Sequence, residues 1–337
     1  MQRRTFIIAA VAGGVGLLEY TYVSGWMNNL RDTRPRMRVR DYLGHGEKAA
    51  LAAITPNEDF YNVQKGTPVR VDAGLWRLRV DGLVEHPVSL TLDQIRSRPA
   101  VERLLTLECV DNRVGGNYIG NAMWKGVELA PLLAEAGVRS GARHVVLYGA
   151  DGLTTGHPLE ALKYAFLAYE MNGQALPVNH GFPLRILIPG KYGYKQPKWL
   201  TRIELVDRQY LGYWERKGWN DAGERGIHAR FDGPDDLKQL RGSTFVLTGY
   251  ALGGASGVKA VEISTNGVAD WQPTDLFSNP STAAWAFWKY VWKPPPGRYE
   301  LRVRGIGGDG RVQAEQSHEP FPDGATGQQV LNVSVSA

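Results

Sequence analysis

The sequence predicts a mixed α+β domain over residues 41–235 followed by an all-β sandwich over residues 236–337, both behind a basic leader of residues 1–40. Three observations predict this. The chain has 337 residues, 43% hydrophobic and 22% charged, which is enough for two compact domains with ordinary cores. In the first half, short strand and helix patterns alternate without the period of βαβ units. Beyond Arg241 only strand patterns remain, separated by turn residues.

In the leader, Arg3-Arg4-Thr-Phe places twin arginines directly before an apolar run, residues 6–18, with no acidic residue until Glu19. This is the pattern of a bacterial twin-arginine export signal, which predicts a periplasmic protein and hints at a cofactor inserted before export. No clear Ala-x-Ala cleavage site follows, and residues 5–23 are about as long as a minimal spanning helix, so an uncleaved membrane anchor stays open. Residues 31–40 then read as a solvated basic tether. Seven arginines in residues 1–40, against Glu19 and Asp32, account for the whole net charge of +5. The remaining body is neutral, which excludes a nucleic-acid binder with a basic folded face.

In the first domain, Trp76-Arg-Leu-Arg-Val80 alternates as a strand, Asp81-Gly82 turns the chain, and Thr91 opens a helix. Leu104-Leu-Thr-Leu-Glu-Cys109 is a further strand ending at the cysteine. Residues 127–136 have helical spacing and stop at Gly137, and His144-Val-Val-Leu-Tyr148 is a buried strand. A helix ends at Asn172-Gly173, a loop carries His180 and a strand carries Arg185. In the second domain, strands fall at residues 244–248, 258–263, 285–292 and 299–303, with Asn266-Gly267 as a type I′ hairpin signal. The glycine-rich residues 249–257 lack a following Lys-Ser and read as a loop rather than a phosphate cradle.

Chemistry concentrates in the first domain. Cys109 is the only cysteine, which excludes an internal disulfide, a Cys-pair zinc or iron–sulfur site and a C-x-x-C-H haem attachment. It lies where an apolar strand meets the polar loop Val-Asp-Asn112-Arg113-Val-Gly-Gly, and Arg113 is placed to favour a thiolate, a soft donor suited to a redox metal. His180, Arg185, Lys195 and Lys198 fall within nineteen residues among apolar neighbours, a cationic patch sized for one small dianion.

Phe60-Tyr61, Glu108-Cys109 with Asn112-Arg113, Trp124-Lys-Gly126, the run from Tyr169 to Trp199, and the tail pattern through Trp271, Trp285, Trp288 and Trp292 to Pro295-Pro-Gly-Arg-Tyr closely resemble the sulfite oxidase family of molybdopterin oxidoreductases. The resemblance covers residues 54–335. It implies a molybdopterin domain followed by an immunoglobulin-like dimerisation domain, and hence a homodimer. It also implies a molybdenum–molybdopterin cofactor ligated through Cys109. His180 and Arg185 match the pair that holds the pterin phosphate, and Gln196, Pro197 and Lys198 match the triplet that closes over the pterin. Phe60, Tyr61, Asn62 and Asp151 match further pterin contacts, while Arg113, Trp124 and Trp219 fall at the substrate pocket. The implied chemistry is oxygen-atom transfer to or from a small oxo substrate, with electrons exchanged with a separate partner, a cytochrome or membrane haem protein, because the chain has no haem motif.

Departures from the family's pattern bear on the substrate. Where sulfite-oxidising members carry two arginines and a tyrosine, this chain has Val63, Val114 and Trp219. Losing charge-assisted hydrogen bonds worth about 1.5–3 kcal/mol each predicts a poor sulfite oxidase and favours a neutral or less charged substrate such as an S-oxide or N-oxide. Three alternatives stay open: a sulfite oxidase with an altered anion pocket, an exported cysteine hydrolase using Cys109 with His144, His157 or His180 as base, and a pterin-binding protein without catalysis.

Overall fold

A computed structural model describes residues 37–232 and 239–337. The twin-arginine motif, residues 5–23 and the tether up to residue 36 lie outside the described residues. No described helix is long and apolar enough to cross a membrane. Residues 37–40 do not form a solvated tether: Val39 is fully buried, and the Val39 and Arg40 amides donate to the Asp232 carboxylate at 2.9 and 3.0 Å.

The structure is mostly β, because helices are few and short. Leu92–Arg96 begins where expected: Thr91 Oγ1 accepts from the Gln94 amide and Gln94 Oε1 accepts from the Thr91 amide, a capping box. Leu129–Ala136 ends at left-handed Gly137, but residues 127 and 128 belong to the preceding strand, Ile119–Glu128. The helix expected before Asn172-Gly173 is instead the strand Phe166–Met171. Its run Phe-Leu-Ala-Tyr-Glu-Met is buried on both faces, and sheet pairing on two sides overrides the helical spacing.

Two five-stranded sheets share this part of the chain. The first orders Val88–Leu90, Leu78–Gly82, Leu200–Val206, His144–Gly149 and Thr154–Pro158, with Leu78–Gly82 and Leu200–Val206 parallel. The second orders Val101–Glu108, Ile119–Glu128, Phe166–Met171 and Gln174–Ala175, with Arg185–Leu187 also paired to Phe166–Met171. Leu78, Ile95, Leu132, Leu147, Leu167 and Ile203 join both sheets and both helices in one apolar core. Glu108 pairs with Ile119, so residues 109–118 form the loop at the end of that hairpin, with Cys109 as its first residue.

The C-terminal strands form two more sheets. One orders Ile227–Phe231, Phe245–Gly253, Ala286–Trp292 and Asp275–Ser278; the other orders Gln239–Arg241, Gln329–Ser336, Gly297–Gly307, Val258–Ser264 and Gln272–Pro273. Their facing sides share a core that includes Phe231, Leu247, Trp288, Ile263, Leu301 and Val333. The first strand, Ile227–Phe231, falls before residue 236. Gly249 and Gly253 lie inside a strand rather than a loop: a Cβ at Gly249 would meet Arg230 O at 1.8 Å, so the glycine permits close strand approach. The Asn266-Gly267 turn is not type I′, since Gly267 has φ +88° but Asn266 has no positive φ.

Candidate active site

Cys109 is held at the strand end by its own amide, which donates to Tyr118 O at 2.9 Å, and by its carbonyl, which accepts from the Asn112 amide at 3.1 Å. Burial pushes the thiol up to about 12, with the nearby Asp111 and Glu108 charges adding to the rise. Arg113 does not offset this. Its guanidinium is exposed and pairs with Glu319 at 2.9 Å. The thiol is therefore protonated, poor as a free nucleophile but available to a metal that displaces its proton.

The basic side chains converge beside it. His180 lies on the turn Val178–His180, Arg185 opens the strand Arg185–Leu187, and Lys198 lies just before Leu200–Val206. His180 is pulled down to about 3 by burial and then by Lys198 and Arg185, and its Nε2 lies 3.1 Å from Asn57 O. It is neutral, with Nε2–H donating and Nδ1 free to accept. Arg185 is buried and drawn down to about 10 by desolvation. Its Nη1 donates to His180 O at 3.1 Å, and its Nε is buried without a partner. Lys198 Nζ donates to Asn62 Oδ1 and Asn179 O, both at 2.7 Å, and to Gln64 Oε1 at 3.2 Å; burial and Arg185 hold it well below the usual lysine range.

Aromatic rings fix this cradle. Phe60 meets His180 and Trp124 edge-on, with centroids 5.5 and 5.8 Å apart, and stacks on Tyr61 at 5.4 Å. Trp124, fully buried, lies under the Arg185 guanidinium and donates Nε1–H to Leu105 O at 3.2 Å. It forms the floor rather than the lining.

One cleft, open at its mouth, is lined by Phe60, Tyr61, Cys109, Asp151, His180, Arg185, Gln196 and Lys198. These expected residues are thus brought together. Others are not. Pro197 is buried off the lining, and Asn62 reaches the cleft only through Lys198. Trp219 packs outside, between Tyr194 at 6.2 Å and Phe321 at 5.3 Å. The Gln196 side chain is spent within the protein, accepting from the Ile188 amide at 2.8 Å and donating to Lys191 O at 2.7 Å.

Lys195 leaves the cationic patch altogether. It is buried and points the other way, to Glu215 at 2.6 Å and Asp221 at 3.3 Å. The sequence also did not single out four residues that line the cleft: Gln64, Lys65, Tyr194 and Trp214. Gln64 and Lys65 directly follow Val63 in a segment without regular structure, so no spacing pattern marks them. Lys65 Nζ donates to Asp151 O at 3.0 Å and lies 4.7 Å from the Tyr213 ring centre.

The arrangement tests the alternatives. None of His144, His157 and His180 hydrogen-bonds Cys109; His157 Nε2 is 2.8 Å from Lys195 O, and burial and Lys195 hold that ring well below the usual imidazole range. A hydrolytic dyad is therefore not assembled. The molybdopterin group fits instead: a soft donor and three basic side chains open on one cleft, and a buried arginine nitrogen awaits an acceptor.

Residues 53–214 match the oxidoreductase molybdopterin binding domain. The chain is 29% identical over 299 residues to mitochondrial sulfite oxidase of Rattus norvegicus, covering 74% of this chain and 55% of that protein. It therefore spans about half the length of that relative. It is 30% identical over 270 residues to sulfite oxidase of Arabidopsis thaliana, covering 65% of this chain and 69% of the relative. Among solved structures, the sulfane dehydrogenase SoxCD of Paracoccus pantotrophus shares the fold, with a TM-score of 0.73 at 21% identity over 85% of this chain and 84% of that one. On this domain match and this similarity to sulfite oxidases, the chain belongs to the sulfite oxidase family of molybdopterin-binding oxidoreductases.

Proposed function

We propose that the protein is an oxygen-atom-transfer enzyme acting on a small oxo substrate less charged than sulfite. The observation that carries this is the convergence of the Cys109 thiol and the His180, Arg185 and Lys198 cradle on one cleft whose wall carries Val63. When bound, the molybdenum centre supplies a two-electron exchange coupled to movement of one oxygen atom. Cys109 would ligate the metal as thiolate, and Arg185, His180 and Lys198 would hold the pterin phosphate. Tyr61, Tyr194 and Trp214 line the cleft beside them.

The substrate preference follows from missing charge. Val63 lines the cleft where the family's sulfite-oxidising members carry a guanidinium, whereas Val114 and Arg113 lie off the lining and Arg113 is spent on Glu319. One lost charge-assisted hydrogen bond amounts to about 1.5–3 kcal/mol, or roughly tenfold to a hundredfold in binding a dianion. An altered sulfite pocket keeps one supporting observation, because Lys65 places a cation on the same cleft. Steady-state assays with sulfite, sulfoxides and N-oxides decide between them: efficient sulfite turnover that falls in Lys65→Met supports the altered pocket and refutes a preference for less charged substrates.

We further propose that the Arg3-Arg4 leader exports the folded protein to the periplasm and that residues 5–23 keep it at the membrane if uncleaved. The chain before the strand Ile227–Phe231 forms the catalytic domain, and that strand with the following sheets forms an immunoglobulin-like domain through which two copies pair. A separate cytochrome or membrane haem protein exchanges electrons with it. Fractionation of an Arg3→Lys, Arg4→Lys variant, retained in the cytoplasm if export uses this signal, tests the first of these.

A further inference from the structure

We propose that Arg230 is a positioning residue for Cys109, reaching across from the C-terminal sheets to close the cysteine loop and fix where the thiol points. Arg230 lies in the strand Ile227–Phe231, far from Cys109 in sequence, yet its side chain is almost wholly buried against residues 108–118. Nη1 donates to Gly116 O and, at 2.9 Å, to the Tyr250 hydroxyl. Nη2 donates to Arg113 O at 3.2 Å, and the guanidinium lies 3.6 Å from Glu108 Oε1.

Glu108 directly precedes the cysteine and is itself 1% exposed. Its Oε1 accepts from Asn112 Nδ2 at 2.8 Å, Asn112 Oδ1 accepts from the Tyr118 amide at 3.0 Å, and Tyr118 O accepts from the Cys109 amide at 2.9 Å. Arg230 thus completes a closed circuit that returns to Cys109. The loop has no slack: a Cβ at Gly116 would lie 2.5 Å from Asn112 Oδ1 and 3.0 Å from Arg113 O. Only a planar fork with several donors serves two loop carbonyls, a tyrosine hydroxyl and a carboxylate together, which a lysine ammonium on a flexible stem does not.

The first test does not depend on the metal. The full chain, produced without cofactor, is alkylated at fixed pH and labelling of Cys109 is followed by mass spectrometry. Arg230→Lys and Arg230→Gln should each label at least about tenfold faster than the parent, because the freed loop exposes the thiol. Leu301→Ala, a core change in the same pair of sheets, should lower the melting temperature without accelerating labelling. Parental rates in both Arg230 variants, or equal acceleration in Leu301→Ala, overturn the proposal. If either Arg230 variant fails to fold, Asn112→Ser cuts the same circuit from the loop side and must give the same acceleration.

The second test rests on the proposed metal role of Cys109. In loaded enzyme, Arg230→Lys should shift the electron paramagnetic resonance g-values of Mo(V) while retaining molybdenum, and a spectrum superimposable on the parent's overturns the proposal. A parent chain that takes up no molybdenum contradicts the metal role instead and leaves the labelling result to stand.

Discussion

Arg185 holds its guanidinium 5.2 Å from the centre of the Trp124 ring, with Nε buried and unpartnered. A buried cation is costly unless an anion answers it, and none of the described carboxylates forms an ion pair with Arg185. Arg185→Gln should therefore reduce pterin retained per chain, since a lost charge-assisted bond of about 1.5–3 kcal/mol weakens binding roughly tenfold to a hundredfold. Fluorescence assay of extracted pterin after dialysis checks this; full retention would remove Arg185 from the phosphate site.

Cys109 should be nearly inert towards alkylating reagents in cofactor-free protein. With its thiol pushed up to about 12, the thiolate fraction at pH 8 is about a thousandfold below that of an ordinary cysteine. The labelling rate should still be rising about tenfold per pH unit between roughly pH 8 and 10. A rate that levels off near pH 8 would show an unperturbed thiol.

His180 makes the cofactor-free protein acid-sensitive. Its folded-state value of about 3 lies below the ordinary 6.5, so the unfolded chain binds more protons between these values. Stability contributed by the neutral ring is present above about pH 6.5 and is lost as the pH falls towards 3, with a slope of up to about 1.4 kcal/mol per pH unit. Urea unfolding of His180→Asn should show a shallower loss from pH 6 to 4 than the parent. Identical slopes would mean that the ring is not shielded from protonation.

Lys195 and Glu215 are each 1% exposed as side chains and lie 2.6 Å apart, with Lys195 also donating to Gly156 O at 2.8 Å. Breaking one half of such a pair strands a buried charge at a cost of about 3–5 kcal/mol. Lys195→Met should therefore lower stability by that order in denaturant titrations. A loss under about 1 kcal/mol would show that solvent reaches Glu215 in the folded state.

Local signals made much of the site legible. Cys109 at an apolar strand's end, and His180 and Arg185 in a short basic run, stand out locally while their roles are what the family resemblance implies, and the Thr91 capping box and Gly137 stop depend only on near neighbours. What long-range contact decides was not legible. Lys195 reads like Lys198 in sequence, but Glu215 and Asp221 lie across a fold that spacing does not reveal. Arg113 reads as a neighbour of the thiol, yet Glu319 from the distant tail draws it outward. Residues 166–171 read as a helix because their periodicity does not record that strands lie on both sides. The strand Gln329–Ser336 alternates buried and exposed residues throughout, the period-two signal of a strand with one face on the core.

The most direct test of the central claim is metal and pterin content of the parent chain and of Cys109→Ala, both matured in a host that makes molybdopterin. The account predicts about one molybdenum and one pterin per parent chain, and a folded Cys109→Ala protein that keeps pterin but performs no oxygen transfer. A parent chain free of both, beside a control molybdoenzyme loaded in the same cells, would contradict it.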